Sequence, residues 1–213
     1  MAGLSSRIFG EWGPVLKALK NAPRDIGEAK HRALLKEAEF FRGKVIEGLR
    51  DQAPGGVAFK PLSPATIAMR QFLGFKGTKA LLAHGDLMKS VTVHDVDERI
   101  FVGVLRTAKT QDGKSLADIA ELNENGSQPI VIHMTPKMAA LLHAAFKASG
   151  YGNRMGPPVP STGVIVVQVP ARPFFGPIFA LHGNPAVANK RFAERVAKEM
   201  KGKGPWKAVA DLL

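Results

Sequence analysis

The chain has 213 residues and a formal net charge of +12 at pH 7, because 30 lysines and arginines outnumber 18 aspartates and glutamates. It contains no cysteine, which excludes disulfide bonds, thiolate metal sites and thiol nucleophiles. No apolar run approaches the roughly 18 residues of a membrane span, and so basic a balance favours nucleic acid, an anionic membrane surface or an acidic protein as the partner.

The first 25 residues predict an N-terminal arm or a short helix. Phe9 and Trp12 are its only large anchors. Exposed aromatic side chains on an arm indicate docking on a neighbouring subunit, and packing back on the chain's own core is the alternative. The N-terminus lacks the apolar core and cleavage site of a signal peptide, so we expect a cytosolic product with no cleaved segment.

A single domain is expected over residues 26–201, and it begins with a long amphipathic helix that runs from Asp25 to about Gln52. Pro54-Gly55-Gly56 should end this helix. Its apolar side chains recur at spacings of four and three residues, as one face of a helix requires; they are Leu34, Ala38, Phe41, Val45 and Leu49.

The middle of the chain predicts alternating short helices and strands. Ser63-Pro64 is a good N-cap and first-turn pair, so a short helix should follow it. After a glycine loop and the turn at residues 84–86, two alternating runs near residues 91–93 and 100–104 predict an antiparallel hairpin. Further on, helices are expected at residues 115–125 and 136–149, with a brief strand at residues 130–132 between them.

The stretch from Val164 to Pro177 predicts a buried strand that ends in a stiff corner. Four consecutive β-branched residues, 164–167, favour a strand buried on both faces. Pro170 and Pro173 then force the backbone out of the sheet, with Arg172 between them and Phe174 after them. Two interpretations stay open. Phe174 and Phe175 fill the core while Arg172 caps a carbonyl or pairs with an acid, or Arg172 fixes the last helix so that it meets an adjacent subunit.

The last predicted helix spans residues 185–201 and is followed by a tail, residues 202–213. Its apolar side is expected to carry Val187, Phe192, Val196 and Met200. The other side should be basic, which favours contact with DNA or a subunit, although a solvated helix face is the ordinary alternative. The basic residues are Lys190, Arg191, Arg195, Lys198 and Lys201.

No catalytic or metal-binding pattern in the sequence argues for an enzyme. None of the six histidines forms the helical pair with an acid that a zinc hydrolase needs. Asp95, Asp97 and Glu98 could chelate a cation as in a nuclease, but a polar turn between two strands is the simpler interpretation. We therefore expect no catalytic residue, metal or cofactor.

The order of several short motifs resembles a known family. Thr-Gly-x-Leu of that family corresponds to residues 84–87, where Gly85 and Leu87 match. Its His-x-x-Gly corresponds to residues 123–126, where Gly126 matches, and its Pro-x-Arg-Pro-Phe corresponds to residues 170–174. The chain resembles the virion morphogenesis and tail-completion proteins of tailed bacteriophages, which are related to the head-tail joining (neck) proteins, over about residues 30–200.

The resemblance implies an α+β fold with a small, mainly antiparallel sheet flanked by the long first helix and the last helix, with long loops. It also implies a non-enzymatic virion protein that forms a homo-oligomeric ring at the head-tail junction, where it contacts connector, neck or tail-tube proteins and genomic DNA. His84 and Asn123 depart from the family pattern, which leaves open whether the chain is a tail-completion (tail terminator) or a neck subunit. A DNA-binding module in phage assembly or packaging is the alternative function.

Overall fold

The computed structural model describes residues 12–75, 77–96, 99–150 and 163–201, and it describes no side chain for residues 12–15 and 18. Within these ranges the chain forms helices and two antiparallel strand pairs, so the predicted α+β class is confirmed. The sequence predicted one small sheet, whereas the strands form two separate pairs. The elements are α1 (Trp12–Asp51), α2 (Pro64–Phe72), α3 (Asp86–Ser90), β1 (Val91–Val96), β2 (Arg99–Val104), α4 (Leu116–Asn125), β3 (Ile130–Met134), α5 (Pro136–Ala148), β4 (Gly163–Val167), α6 (Gly176–His182) and α7 (Pro185–Lys201).

The first helix, α1, is already formed at Trp12, the first described residue, well before the predicted start at Asp25. It continues through Pro23, because a proline removes one backbone hydrogen bond without necessarily ending a long helix. The predicted arm is thus helical from residue 12 onward, while residues 1–11, which include Phe9, lie outside the described residues. As predicted, α1 ends just before Pro54–Gly56, which forms a 3-10 turn.

One face of α1 forms a wall of the hydrophobic core. Val45 and Leu49 are fully buried and Phe41 is 9% exposed, as their spacing predicts. Leu34 is 38% exposed, because the buried stripe in that part of α1 passes through Ala33 instead. The core cluster comprises Phe41, Val45, Leu49, Leu87, Val91, Leu116, Ala120, Phe174 and Ile178.

The predicted hairpin is confirmed as β1 and β2, which pair from Val91 with Val104 to Val96 with Arg99. It packs against α1. Arg42 of α1 donates from Nε to the carbonyl oxygen of Val91 over 2.9 Å, which ties the helix to the start of the hairpin.

The second strand pair, β3 and β4, corrects the prediction of a strand buried on both faces. Val164 and Val166 of β4 are 49% and 65% exposed, and Val131 of β3 is 57% exposed. The β-branched run does form a strand, and it pairs with β3 from Ile130–Val167 to Met134–Gly163. It is not covered, because the described elements place no layer over the face that carries Val131, Val164 and Val166. We call this face the ribbon face.

Three of the remaining helices begin at caps that the sequence shows. Ser63, Ser115 and Thr135 each accept a hydrogen bond from a backbone N–H in the first turn of α2, α4 and α5. α5 packs against α2. The short helices α3 and α6 were not predicted; α6 lies between the corner and α7 and buries Ile178 in the core.

Candidate functional site

The proline corner, residues 169–176, lies against the end of α4. The backbone N–H of Arg172 donates to the carbonyl oxygen of Asn123 over 2.6 Å. The N–H of Ser127 donates to the carbonyl oxygen of Val169 over 2.9 Å, and the Ser127 hydroxyl accepts from the Val169 N–H at 2.9 Å. Two motifs that the sequence singles out separately are therefore joined along their backbones.

Gly126 occupies a position that only glycine fits well. Its φ of +78° falls in the left-handed region, which side chains disfavour. A Cβ atom there would also lie 2.9 Å from the backbone nitrogen of Ala171 and 3.1 Å from the carbonyl oxygen of Val169. The glycine thus lets the end of α4 approach the proline corner closely.

Glu124 is a structural residue that the sequence analysis missed. Its carboxylate accepts three backbone N–H bonds, from Phe174 at 2.8 Å, Phe175 at 3.1 Å and Gly176 at 2.7 Å. These donors lie at the start of α6, where Phe175 offers no capping side chain of its own. The signal in the sequence was Gly176-Pro177, a helix start with no Ser, Thr, Asp or Asn before it, which requires a cap from elsewhere in the chain.

Arg172 is buried, with 7% exposure, and its side chain caps carbonyl groups. Nε donates to the carbonyl oxygen of Lys60 at 2.9 Å and Nη2 to that of Pro61 at 3.2 Å. Burial lowers the pKa of Arg172. Of the two interpretations of the corner, carbonyl capping is therefore what the structure shows, with Phe174 fully buried in the core. The Arg172 side chain bonds the loop before α2 and not the last helix.

Each of the three motifs contributes lining residues to a pocket of about 490 Å³, which we call the arginine pocket, although Gly126, Pro170, Pro173 and Phe174 do not line it. Gly85, with a φ of +76°, precedes α3 and lines the pocket beside Leu87, which is also part of the core. Asn123 and Arg172 line it from the other motifs. Apolar walls come from Leu62, Phe75, Leu81, Leu116 and Ile119, and charged or titratable groups from Arg70, His84, Asp86, Asp112 and Lys114.

Arg191 and Arg195 do not belong to a solvent-facing basic surface, which corrects that part of the prediction. Glu37 of α1, only 7% exposed, accepts hydrogen bonds from both arginines, at 2.7 Å from Arg191 Nε and at 3.0 Å from Arg195 Nε. Arg191 also donates to the carbonyl oxygen of His182 at 3.0 Å and lies 4.3 Å above the ring of Phe40. These arginines therefore hold α7 on α1.

A second carboxylate, that of Glu199, extends this contact between α1 and α7. It pairs with Lys36 and, at 2.8 Å, with Nε of Arg32. The hydrogen bonds from Lys36 and Arg32 lower the pKa of Glu199. Glu199 therefore holds the end of α7 on α1 through two cations of α1.

Lys190, Lys198 and Lys201 remain as the exposed basic residues of α7. Helical spacing places them on one side, and the acidic Glu194 lies among them. Val187 shares this side and is 53% exposed, so its predicted place in the core is wrong. The arginines take the inward side because their long side chains reach the buried Glu37.

The acidic turn of the hairpin forms no metal site among the residues that can be described. His31 Nε2 lies 2.9 Å from Asp95 Oδ2, so Asp95 has a partner on α1. Asp97 and Glu98 lie outside the described ranges. In residues 12–75, 77–96, 99–150 and 163–201, no three His, Asp or Glu side chains gather as metal ligands, and no helix is long and apolar enough to cross a membrane.

Comparisons with protein-family models, with curated proteins and with solved structures found no match to this chain.

Proposed function

We propose that this chain is a structural subunit that assembles with copies of itself into a ring. In this proposal the ring is the tail-completion or neck component of a tailed bacteriophage, located at the head-tail junction around the DNA channel. The role is non-enzymatic, and its neighbours are connector, neck or tail-tube proteins. The observation that carries the assembly is the open ribbon face, and the motif order described above carries the phage context.

The ribbon face carries apolar side chains that the described part of the subunit leaves in contact with water, and it also carries His133, which is exposed and stands opposite Val164. Val131 and Val166 stand opposite each other in the pair of strands, and Val164 extends the same face. All three are about half exposed or more. Burial of one valine side chain stabilises by roughly 1.5–3 kcal/mol, and an isolated two-stranded ribbon is only marginally stable in water. Contact with a neighbouring subunit would supply this burial.

The family-motif residues contribute to the proposal in a different way. Gly126 and Arg172 join the end of α4 to the corner, and the corner directly follows β4. The motifs thus fix where the ribbon leaves the body of the subunit. A ring requires the same geometry in every copy, and such backbone-to-backbone contacts provide it.

The experiment is sedimentation velocity of the purified protein, accompanied by particle electron microscopy. Val131→Thr with Val166→Thr keeps the side-chain shape and adds a hydroxyl group to the ribbon face. Val187→Thr, at a 53% exposed position on α7, is the matched control. We expect closed oligomers for wild type and for the control, and at least a ten-fold weaker association for the double variant. A wild-type protein that is monomeric both alone and in assembled particles would refute the proposal.

A DNA-binding module remains the second candidate, supported by the +12 net charge and by the three exposed lysines of α7. Because Arg191 and Arg195 pair with Glu37, the test concerns the lysines alone. Lys190, Lys198 and Lys201 are changed to glutamate together. Lost duplex affinity with intact assembly supports DNA binding, whereas lost assembly with unchanged affinity supports a subunit contact. Affinity for duplex that stays constant as salt rises would refute it.

A further inference from the structure

Two guanidinium groups in the arginine pocket have no carboxylate partner among the described residues. Arg172 and Arg70 both line the pocket, and among the described residues the only acceptors of their side chains are backbone carbonyl oxygens. For Arg70 this acceptor is the carbonyl oxygen of Lys79, at 2.8 Å. Burial lowers the pKa of Arg70, and the nearby charge of Arg172 lowers it further.

This arrangement contrasts with the other buried charges of the protein. Glu37, also nearly buried, is paired with two arginines. Arg172 has five N–H donors, of which two bond carbonyl oxygens. Asp86 and Asp112 line the same pocket but form no ion pair with either guanidinium group. Arg172 is buried and Arg70 half-buried, and holding such cations without a counter-charge is costly, so an anionic ligand would be favoured here.

The walls of the pocket indicate which class of anion it would bind. Six large apolar residues line it: Leu62, Phe75, Leu81, Leu87, Leu116 and Ile119. A bare phosphate would leave these apolar side chains uncovered. A peptide in which an acidic residue stands next to a large apolar one would place a carboxylate on the guanidinium groups and cover the apolar walls. The volume of about 490 Å³ has room for two such side chains.

We propose that the arginine pocket binds an acidic peptide segment of a partner protein, with an Asp or Glu carboxylate on Arg70 and Arg172 and a large apolar side chain against the leucine walls. The planar guanidinium groups suit a carboxylate because they present paired donors. The proposal is independent of ring formation, since the pocket shares no residue with the ribbon face.

The test uses three small probes: acetyl-Leu-Glu-Leu-amide, acetyl-Leu-Gln-Leu-amide and inorganic phosphate. Saturation-transfer NMR measures binding of each probe to the full chain. The signal is detected on the probe, so the method works whether the protein is a monomer or a ring. We expect the Glu peptide to bind about ten-fold more tightly than the Gln peptide, as one charge-assisted contact implies. Phosphate should bind more weakly than the Glu peptide.

Arg70→Gln is the main variant, because Arg70 is only partly buried and its loss leaves the core intact. It should weaken binding of the Glu peptide about ten-fold and leave binding of the Gln peptide unchanged. Arg106→Gln, an exposed arginine outside the pocket, is the matched control and should bind as wild type does. Arg172→Lys keeps the charge but loses the planar donors, and it should also weaken binding of the Glu peptide.

Three results would overturn the proposal. The first is equal affinity for the Glu and Gln peptides. The second is equal affinity of the Arg70→Gln and Arg106→Gln variants for the Glu peptide. The third is tighter binding of phosphate than of the Glu peptide, which would assign the pocket to a phosphate-bearing ligand instead.

Discussion

The α-carbon of Gly126 lies against the backbone of Ala171, so that a methyl group on it would come within 2.9 Å of the Ala171 nitrogen. This contact is where the end of α4 meets the proline corner. Because it joins two backbones, neither side can move aside as a flexible side chain would.

Gly126→Ala should therefore destabilise the protein by about 2–4 kcal/mol, combining left-handed backbone strain with steric overlap. The chain supplies a matched control in Gly113, which has the same φ of +78° but no atom within 4 Å of an added Cβ. Gly113→Ala should cost only the backbone strain, about 1 kcal/mol. The free energy of unfolding in urea measures both values, and equal losses would contradict the close contact.

Glu124→Ala should destabilise the start of α6 by about 2–3 kcal/mol. The substitution leaves three backbone N–H groups, of Phe174, Phe175 and Gly176, without their acceptor. Glu121→Ala, an exposed position on the same helix, should change stability by less than about 0.5 kcal/mol. Hydrogen exchange should show lost protection in α6 for the first variant alone. Unchanged protection there would mean that the carboxylate does not cap the helix.

Glu37→Gln should weaken the attachment of α7 to α1, at a cost of about 2–4 kcal/mol. Removing the charge leaves two partly buried arginines, Arg191 and Arg195, without their counter-charge. Glu39→Gln is the control, since Glu39 pairs with Arg42 on the exposed side of α1. Urea unfolding and proteolysis between α6 and α7 measure the effect. Equal stability of the two variants would contradict a structural role for the arginines.

The features of the fold and the site that could be predicted from the sequence are those whose signal lies in neighbouring residues. Cap residues such as Ser63 before Pro64 gave the starts of α2, α4 and α5 correctly, and alternation gave the β1–β2 hairpin. The burial of β4 was predicted wrongly, because a run of β-branched residues indicates a strand and not what covers it.

The sequence analysis also assigned some residues of α7 to the wrong side of the helix, for a related reason. A run of charged residues predicts a solvent-exposed helix face, unless a buried acid on another helix pairs with some of them. Here that acid is Glu37, which is separated from Arg191 by most of the chain, so the sequence pattern did not reveal the pair. The cap of α6 by Glu124 likewise joins residues that are distant in sequence. The corner was predicted as a stiff turn from its prolines, but only the fold identifies Lys60 and Pro61 as the acceptors for Arg172.

Acidification should destabilise the protein in part through His182. Burial lowers the pKa of this imidazole below 6.5, and the charges of Lys44 and Arg191 lower it further, while Glu47 opposes them. The unfolded chain therefore takes up a proton first as the pH falls. The stability that neutral His182 contributes is fully present above pH 6.5 and is lost as the pH falls through the lowered pKa.

His182→Phe should reduce this loss, because it keeps a ring in edge-to-face contact with Phe40 and removes the titrating group. Unfolding in urea at pH values from about 7 to 5 should give a shallower fall for His182→Phe than for wild type. Parallel curves for His182→Phe and wild type would show that His182 does not contribute.

Assembly through the ribbon face is the central claim, and electron microscopy tests it most directly. The purified protein, and tailed particles that carry a tagged copy of it, would be imaged beside the Val131→Thr, Val166→Thr variant. We predict closed rings for the wild type, located at the head-tail junction of the particles, and far fewer rings for the variant at the same protein concentration. Wild-type protein that forms no ring in either sample, or a variant that forms rings as often as wild type, would contradict the claim.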